Sequence, residues 1–306
     1  MRMQDHQRHR QLQEGLVAFS RRTPLLGVVD AAASASLVRQ MIDSLHRIEF
    51  VQRLGERIQD PRRMDPASEL FDPVRAAYLH NLAGNKDEAA WLVFLSTHFG
   101  FNRRIKWELT RRVYGGLGAG PPWTWVRTSG DLGGFERWFA AHSDQLAGLP
   151  FGNHRKYESL RPDARNNLVE TIASYVSWVG PNRGFALLVA DVDTPPSDAK
   201  TRFDRLYRAS PIIQFGRTGN FDFLTMVGKL GIADIEPPHP YLQGATGPIR
   251  GAKLLIANDP TAKIPTRQLS STLVALGESL GVGMQVMEDS LCNWQKSQFQ
   301  YVPFRG

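Results

Sequence analysis

The chain is poor in the residues that build crosslinks, membrane spans or sheets. Cys292 is its one cysteine in 306 residues, which excludes an internal disulfide and any cysteine-built zinc or iron–sulfur centre. No stretch approaches the roughly 18 consecutive apolar residues that a bilayer span needs. The opening "MRMQDHQRHRQLQEG" has no apolar run of the secretory kind, so a cytoplasmic protein is expected. His98, His154 and His239 are far apart and show no ligand spacing, so neither a metal nor a cofactor is expected. Sustained period-two alternation is also missing, and with it the signature of a sheet. The sequence contains no internal repeat and no low-complexity tract.

What is present is apolar and basic. Hydrophobic residues make up 42% and aromatics 10%, enough to bury a sizeable core. The net charge is +7 with a pI near 9.7. The cations cluster as "RRIK" (Arg103 to Lys106), "TRR" (Thr110 to Arg112), "HRK" (His154 to Lys156) and "RFDRLYR" (Arg202 to Arg208). Such a balance suits a polyanionic partner, because each neutralised phosphate releases condensed counterions. A basic protein without such a partner has the same composition.

Periodicity predicts helices. In "LVRQMIDSLHRIEFVQRL", Leu37, Met41, Leu45, Ile48 and Val51, with the neighbouring Phe50, are expected to share a broad apolar face. "DEAAWLVFLSTHFG" is apolar nearly all round, as a central buried helix would be, with Asp87 and Glu88 suiting its first turn and Gly100 its end. "NNLVETIASYVSWVG" repeats the pattern and stops at Gly180-Pro181. "FALLVADVD" reads as a short strand, yet a lone strand has nothing to pair with. The fold class is therefore all-α, with ten or more helices of ordinary length. Breaks at Tyr114 to Trp125 and Gly148 to His154 predict one domain over 1–306 with two packed lobes, 1–148 and 149–306, and a cleft between them.

Four segments carry candidate chemistry. In "YLQGATGPIRGAKLLIA", Gly244, Gly247 and Gly251 permit close backbone approach, and Pro248 suits a first helical turn. The bare amides of Gly244, Thr246 and Gly247, with Arg250 and Lys253, suit an anion such as a DNA phosphate. The same glycines suit a helix contact that tolerates no side chain. In "FGRTGNFDFLTMVGKLG", Asp222, Thr225 and Lys229 share a stripe; Asp222 suits either a developing sugar cation or the helix dipole. Arg217 is a further phosphate candidate. "FGNHRKYESL" crowds Asn153, His154, Arg155, Lys156, Tyr157 and Glu158 together. These suit a base or sugar, with Lys156 on phosphate, or simply a solvated loop. In "GVGMQVMEDSLCNWQKS", Glu288 and Asp289 lie on the polar side of a C-terminal helix, and ordinary amphipathicity explains them equally well.

These strings, with "DPASELFDPVRAAYLHNLAGNKDEAAWLVFLSTHFG", resemble the bacterial family described as alpha-glutamyl/putrescinyl thymine pyrophosphorylase, clade three, from about Gln11 to Gly306. The resemblance implies an enzyme of modified phage DNA related to helix-hairpin-helix DNA glycosylases, with a two-lobed helical fold. Proteins similar to this one are implicated in anti-phage defence through excision of glucosylated 5-hydroxymethylcytosine. Where such glycosylases carry a catalytic Asp, this chain has Thr266, Arg267 and Gln268, so another carboxylate must serve.

The expected activity is a DNA glycosylase acting on a bulky hypermodified pyrimidine, flipped from duplex DNA, to leave an abasic site. Asp222 is the first candidate carboxylate, followed by Asp289 and Glu288. Asn153, His154, Arg155, Tyr157 and Gln243 are the expected base or sugar contacts, with Trp123 or Trp125 as an aromatic platform. Duplex DNA containing modified bases is the expected partner; no membrane and no protein partner is implied. A transferase acting on a pyrophosphorylated 5-hydroxymethylpyrimidine is the alternative, and a basic DNA-binding protein without chemistry is a third.

Overall fold

A computed structural model describes residues 3–152, 155 and 158–304. It is all-α: among the described residues no strand forms, and the one isolated bridge pairs Asn102 with Lys106. The chain makes two compact units. One runs to Val51 and resumes at Pro237; the other spans Gln52–Glu236.

The first unit holds α1 (Met3–Ser20), α2 (Ala31–Gln52), α12 (Gly247–Ala257), α13 (Thr266–Leu280) and α14 (Met284–Trp294). Their apolar faces share one core that includes Leu16, Leu37, Met41, Leu255, Leu273, Met287 and Trp294. The buried Trp294 indole donates to the Ala33 carbonyl at 3.0 Å. Helix α12 is approached closely from two sides. A Cβ on Gly251 would lie 2.4 Å from the Leu291 carbonyl oxygen, and one on Gly247 would lie 2.7 Å from Cys292 Sγ, both on α14. On another side, a Cβ on Gly27 would lie 2.1 Å from the Leu254 carbonyl oxygen. Gly247 and Gly251, four residues apart, thus let α12 and α14 pack backbone against side chain with nothing between.

The second unit holds α3 (Pro73–Leu82), α4 (Lys86–Phe99), α5 (Glu108–Tyr114), α6 (Trp125–Gly130), α7 (Leu132–Leu146), α8 (Leu168–Val179), α9 (Phe185–Val192), α10 (Ala199–Ala209) and α11 (Gly216–Lys229). Helix α4 is its axis, buried from Glu88 to Phe99 almost without interruption. Asn85 caps it by accepting from the Glu88 amide at 3.3 Å. Its two acidic residues cap other helices. Glu88 accepts from the Trp125 amide at the start of α6 and from the Tyr114 hydroxyl, each at 2.7 Å. Asp87 accepts from the Ala186 amide at the start of α9 at 3.1 Å. Around α4 lies an aromatic core in which Phe94 stacks on Tyr175 at 4.2 Å and on Phe215 at 5.2 Å.

Three sequence expectations change. "FALLVADVD" is the helix α9, which buries Phe185 and Leu188; with no partner strand, its backbone groups bond within the segment instead. The breaks at 114–125 and 148–154 fall inside the second unit, and the first of them is closed by the Trp123 amide bonding to the Tyr114 carbonyl at 2.6 Å. The division comes instead at Val51 and Glu236, because α2 and the three C-terminal helices share one core. Trp123 and Trp125 are 2% and 3% exposed. They are core residues, and neither presents a ring face as a platform.

The α12–α14 contact makes a direct prediction. Gly251→Ala places a methyl against the Leu291 carbonyl and is expected to lower stability by about 1–3 kcal/mol, the usual cost of overpacking. The midpoint of urea unfolding measures it. An unchanged midpoint would mean that α12 and α14 separate easily.

Candidate functional site

The site grows from the C-terminal end of α4. Gly100 turns the chain with φ 69°, and Gly152 lies against it so closely that a Cβ there would sit 2.6 Å from the Gly100 carbonyl carbon. The Gly152 amide donates to the Phe99 carbonyl at 2.7 Å, and the Arg155 amide donates to the Gly152 carbonyl at 2.9 Å. This fixes Arg155, whose side chain is 9% exposed. Its Nη1 donates to the Gln214 carbonyl at 2.9 Å. Its guanidinium lies 4.8 Å from the centre of the Phe215 ring. On α11, Gly219 makes room for it: a Cβ at that position would lie 2.0 Å from Arg155 Nη2.

Gln214 holds its carbonyl in place from a left-handed backbone, φ 67°. Its side chain accepts from Thr171 Oγ1 at 3.1 Å and donates to the Asn166 carbonyl. Such a conformation in a non-glycine residue carries a conformational cost that the surrounding bonds must hold.

Two carboxylates act on this arginine. Glu158 approaches to 3.7 Å, and its side chain is 16% exposed. Asp222, exposed on α11, exerts the stronger attraction. Burial draws the Arg155 pKa down, while Asp222 and then Glu158 oppose the shift. Burial likewise pushes the Glu158 carboxyl above its ordinary value, against the pull of Arg155. Glu158 also lines a cavity of about 380 Å³ with Ser143, Asp144, Phe151 and Leu160 among its walls. That volume lies within the range of small-ligand pockets, ~300–1,000 Å³. A cavity with an aromatic wall and a carboxyl whose proton affinity is raised by burial can receive a flat heterocycle and offer it a proton.

Arg155 and Asp222 are the two sequence candidates brought together here. Arg217 shares α11 and lies over the Phe221 ring at 5.0 Å. Asn153, His154, Lys156 and Tyr157 lie outside the described residues. The remaining candidates belong to the other unit. There Asp289 pairs with Arg47 and accepts from Asn293 Nδ2 at 3.0 Å, and Glu288 is half-buried beside it on α14. Gln243, Gly244, Thr246 and Arg250 are exposed, and Lys253 is half-buried. Gly244 turns with φ 76° in open space. Glu158 belongs to the crowded polar segment, but the sequence gives it no role. Its signal, a carboxyl three residues after an arginine, is commonplace until burial gives it meaning.

Over residues 32–306 the chain matches the family described as alpha-glutamyl/putrescinyl thymine pyrophosphorylase clade 3, and it belongs to that family. No curated protein and no solved structure matches it.

His98 on α4 supplies a test of this environment. It is fully buried among Phe94, Phe99, Phe151 and Phe215, and Nδ1 has no partner among the described residues. Burial first, and the charge of Arg155 second, depress its pKa to about 3. A histidine with a depressed folded-state pKa stabilises the fold above its unfolded value of 6.5 and loses that contribution as pH falls toward about 3. Between pH 6.5 and 5 the loss from this residue is about 2 kcal/mol. His98→Phe should flatten the pH dependence of the urea midpoint by that amount. An unaltered slope would show that His98 takes up its proton without cost.

Proposed function

We propose that this protein hydrolyses the N-glycosidic bond of a bulky modified pyrimidine in DNA, releasing the base and leaving an abasic site. The observation that carries this reading is the buried Arg155 shared by two carboxylates, one of which borders the cavity. In this reading the flipped base enters the cavity beside Phe151. The bond between the sugar C1′ and the pyrimidine N1 breaks, and its electron pair leaves with the base. Glu158, whose carboxyl is pushed above its ordinary value by burial, gives its proton to the departing base. Asp222 stabilises the cationic sugar and takes a proton from the water whose oxygen adds to C1′. Asp222 ranks ahead of Asp289 because it acts on Arg155, the arginine that Glu158 also faces.

The start of α12 is assigned to a DNA phosphate, through the amides near Gly244, Thr246 and Gly247 and the side chains of Arg250 and Lys253. Arg250 is the better probe, since Gly247 is also required for the contact with Cys292. Lys156 and Arg217 are assigned to neighbouring phosphates. Asn153, His154 and Tyr157 are assigned to the base or its sugar substituent. Glucosylated 5-hydroxymethylcytosine is the leading substrate, and defence against phage carrying it, in the cytoplasm, is the corresponding role.

The family's description favours a second reading, substitution at a pyrophosphorylated 5-hydroxymethyl group with the glycosidic bond left intact. Nucleoside mass spectrometry of treated duplexes separates the two. Released base with alkali-labile sites is the expected result; an altered base still joined to its sugar would replace hydrolysis with transfer. Asp222→Asn should lower turnover by about 10²-fold with DNA affinity retained, as loss of a transition-state partner typically does. Unchanged turnover would remove Asp222 from the mechanism. Polar groups built around a hydroxyl-rich substituent stay unpaired without it, so discrimination of roughly 10⁴-fold against plain cytosine is expected.

A further inference from the structure

The segment between α4 and α5 makes a tight turn that presents three cations. Asn102 and Lys106 exchange backbone bonds, the Asn102 amide to the Lys106 carbonyl at 3.1 Å and the Lys106 amide to the Asn102 carbonyl at 2.7 Å. From inside the turn, Asn102 Oδ1 accepts from the amides of Arg104 at 3.0 Å and Ile105 at 3.3 Å. The backbone is therefore ordered before any partner arrives, which limits the entropy lost on binding. Arg103, Arg104 and Lys106 are all exposed, and none forms an ion pair among the described residues. Most other arginines of this unit behave differently: Arg62, Arg111, Arg112, Arg161, Arg183 and Arg202 each face a carboxylate.

Two further features point to a strand of nucleic acid. Lys106 has φ 56°, a conformation that glycine or asparagine adopts at less cost. A lysine retained there places its ammonium 5.7 Å from the ring centre of Phe101, a phenylalanine that is 42% exposed and braced edge-on by Trp107 at 5.1 Å. A partly open aromatic face among unpaired cations is the pairing used for a phosphate backbone with an unstacked base. The turn is also tied to the cavity. Asn102 Nδ2 donates to the carbonyl of Phe151, the cavity's aromatic wall, at 3.0 Å. The backbone contact of Gly100 with Gly152 secures the same junction.

We infer that the Arg103–Lys106 turn is a second nucleic-acid contact, gripping the phosphates of the strand beside the cavity while Phe101 stacks on an adjacent base. This rests on the reading that the protein acts on DNA. It adds a contact in the same unit as the proposed chemistry, independent of the start of α12.

The test is fluorescence anisotropy with labelled duplex and single-stranded oligonucleotides across a salt series. It compares wild type, Arg103→Glu/Arg104→Glu and Arg103→Lys/Arg104→Lys, with thermal melting to verify that each is folded. Charge reversal should weaken binding at least about tenfold at low salt and reduce the slope of log K against log salt by about 1.5, the share of two phosphates. The lysine pair should keep the wild-type slope. Phe101→Ala should weaken single-strand binding more than duplex binding. Wild-type affinity and slope in the charge-reversed protein would overturn the inference while leaving the proposed function standing. So would loss of binding to phosphatidylserine vesicles with oligonucleotide binding untouched. Failure of the wild-type protein to bind any oligonucleotide would sink both.

Discussion

Helix α4 is bonded at both ends to the elements that make the site, and the second unit is arranged around that fact. At its start, adjacent carboxylates reach in different directions, Glu88 to the amide of Trp125 and Asp87 to the amide of Ala186. Two helices thereby take their positions from one turn. At its other end the Phe99 carbonyl accepts from Gly152, which sets the height of Arg155. Between the ends the helix is buried on nearly every side. Burial pushes the Glu88 carboxyl up while Tyr114 and Trp125 hold it down by hydrogen bonds. Its two donors would be left without a partner by truncation, which for buried groups costs about 1–3 kcal/mol each.

The electrostatics of the site follow from the same burial. A guanidinium removed from water requires compensation, and Arg155 receives it from the Gln214 carbonyl, the Phe215 ring, Asp222 and Glu158. The two acids stand in unequal surroundings, since Asp222 is exposed and Glu158 is largely covered. Burial pushes the Glu158 carboxyl above its ordinary value, the direction that suits a general acid. Phe215 lies beneath the Arg155 guanidinium and stacks on His98, so the arginine rests on the aromatic core.

Much of the architecture was legible because it is periodic. The three- and four-residue spacing of α2, the uniform apolarity of α4 and the repeat of α8 that stops at Gly180 are local patterns, and each produced the expected helix. "FALLVADVD" was ambiguous because a short apolar run satisfies a buried strand and a buried helix alike. Gly247 and Gly251 carried two meanings in sequence, and only the position of α14 shows that their missing side chains admit Leu291 and Cys292. The division of the chain was hidden for a similar reason. Glycine and proline mark turns, whereas units are decided by which apolar faces meet. The helix stripe that carries Asp222 was legible from its spacing. The surroundings of Glu158 were not, since they arise from desolvation and from the arginine that faces it.

The central claim is that Glu158 holds the proton that the departing base needs. It is tested most directly by the pH dependence of single-turnover base release from a glucosylated duplex, compared between wild type and Glu158→Gln. A general acid works below its pKa, so the wild-type rate should fall as pH rises through the elevated Glu158 value. Glu158→Gln should be slower by about 10²-fold or more and should lack that fall. A Glu158→Gln enzyme that keeps the wild-type rate and the same alkaline decline would contradict the account.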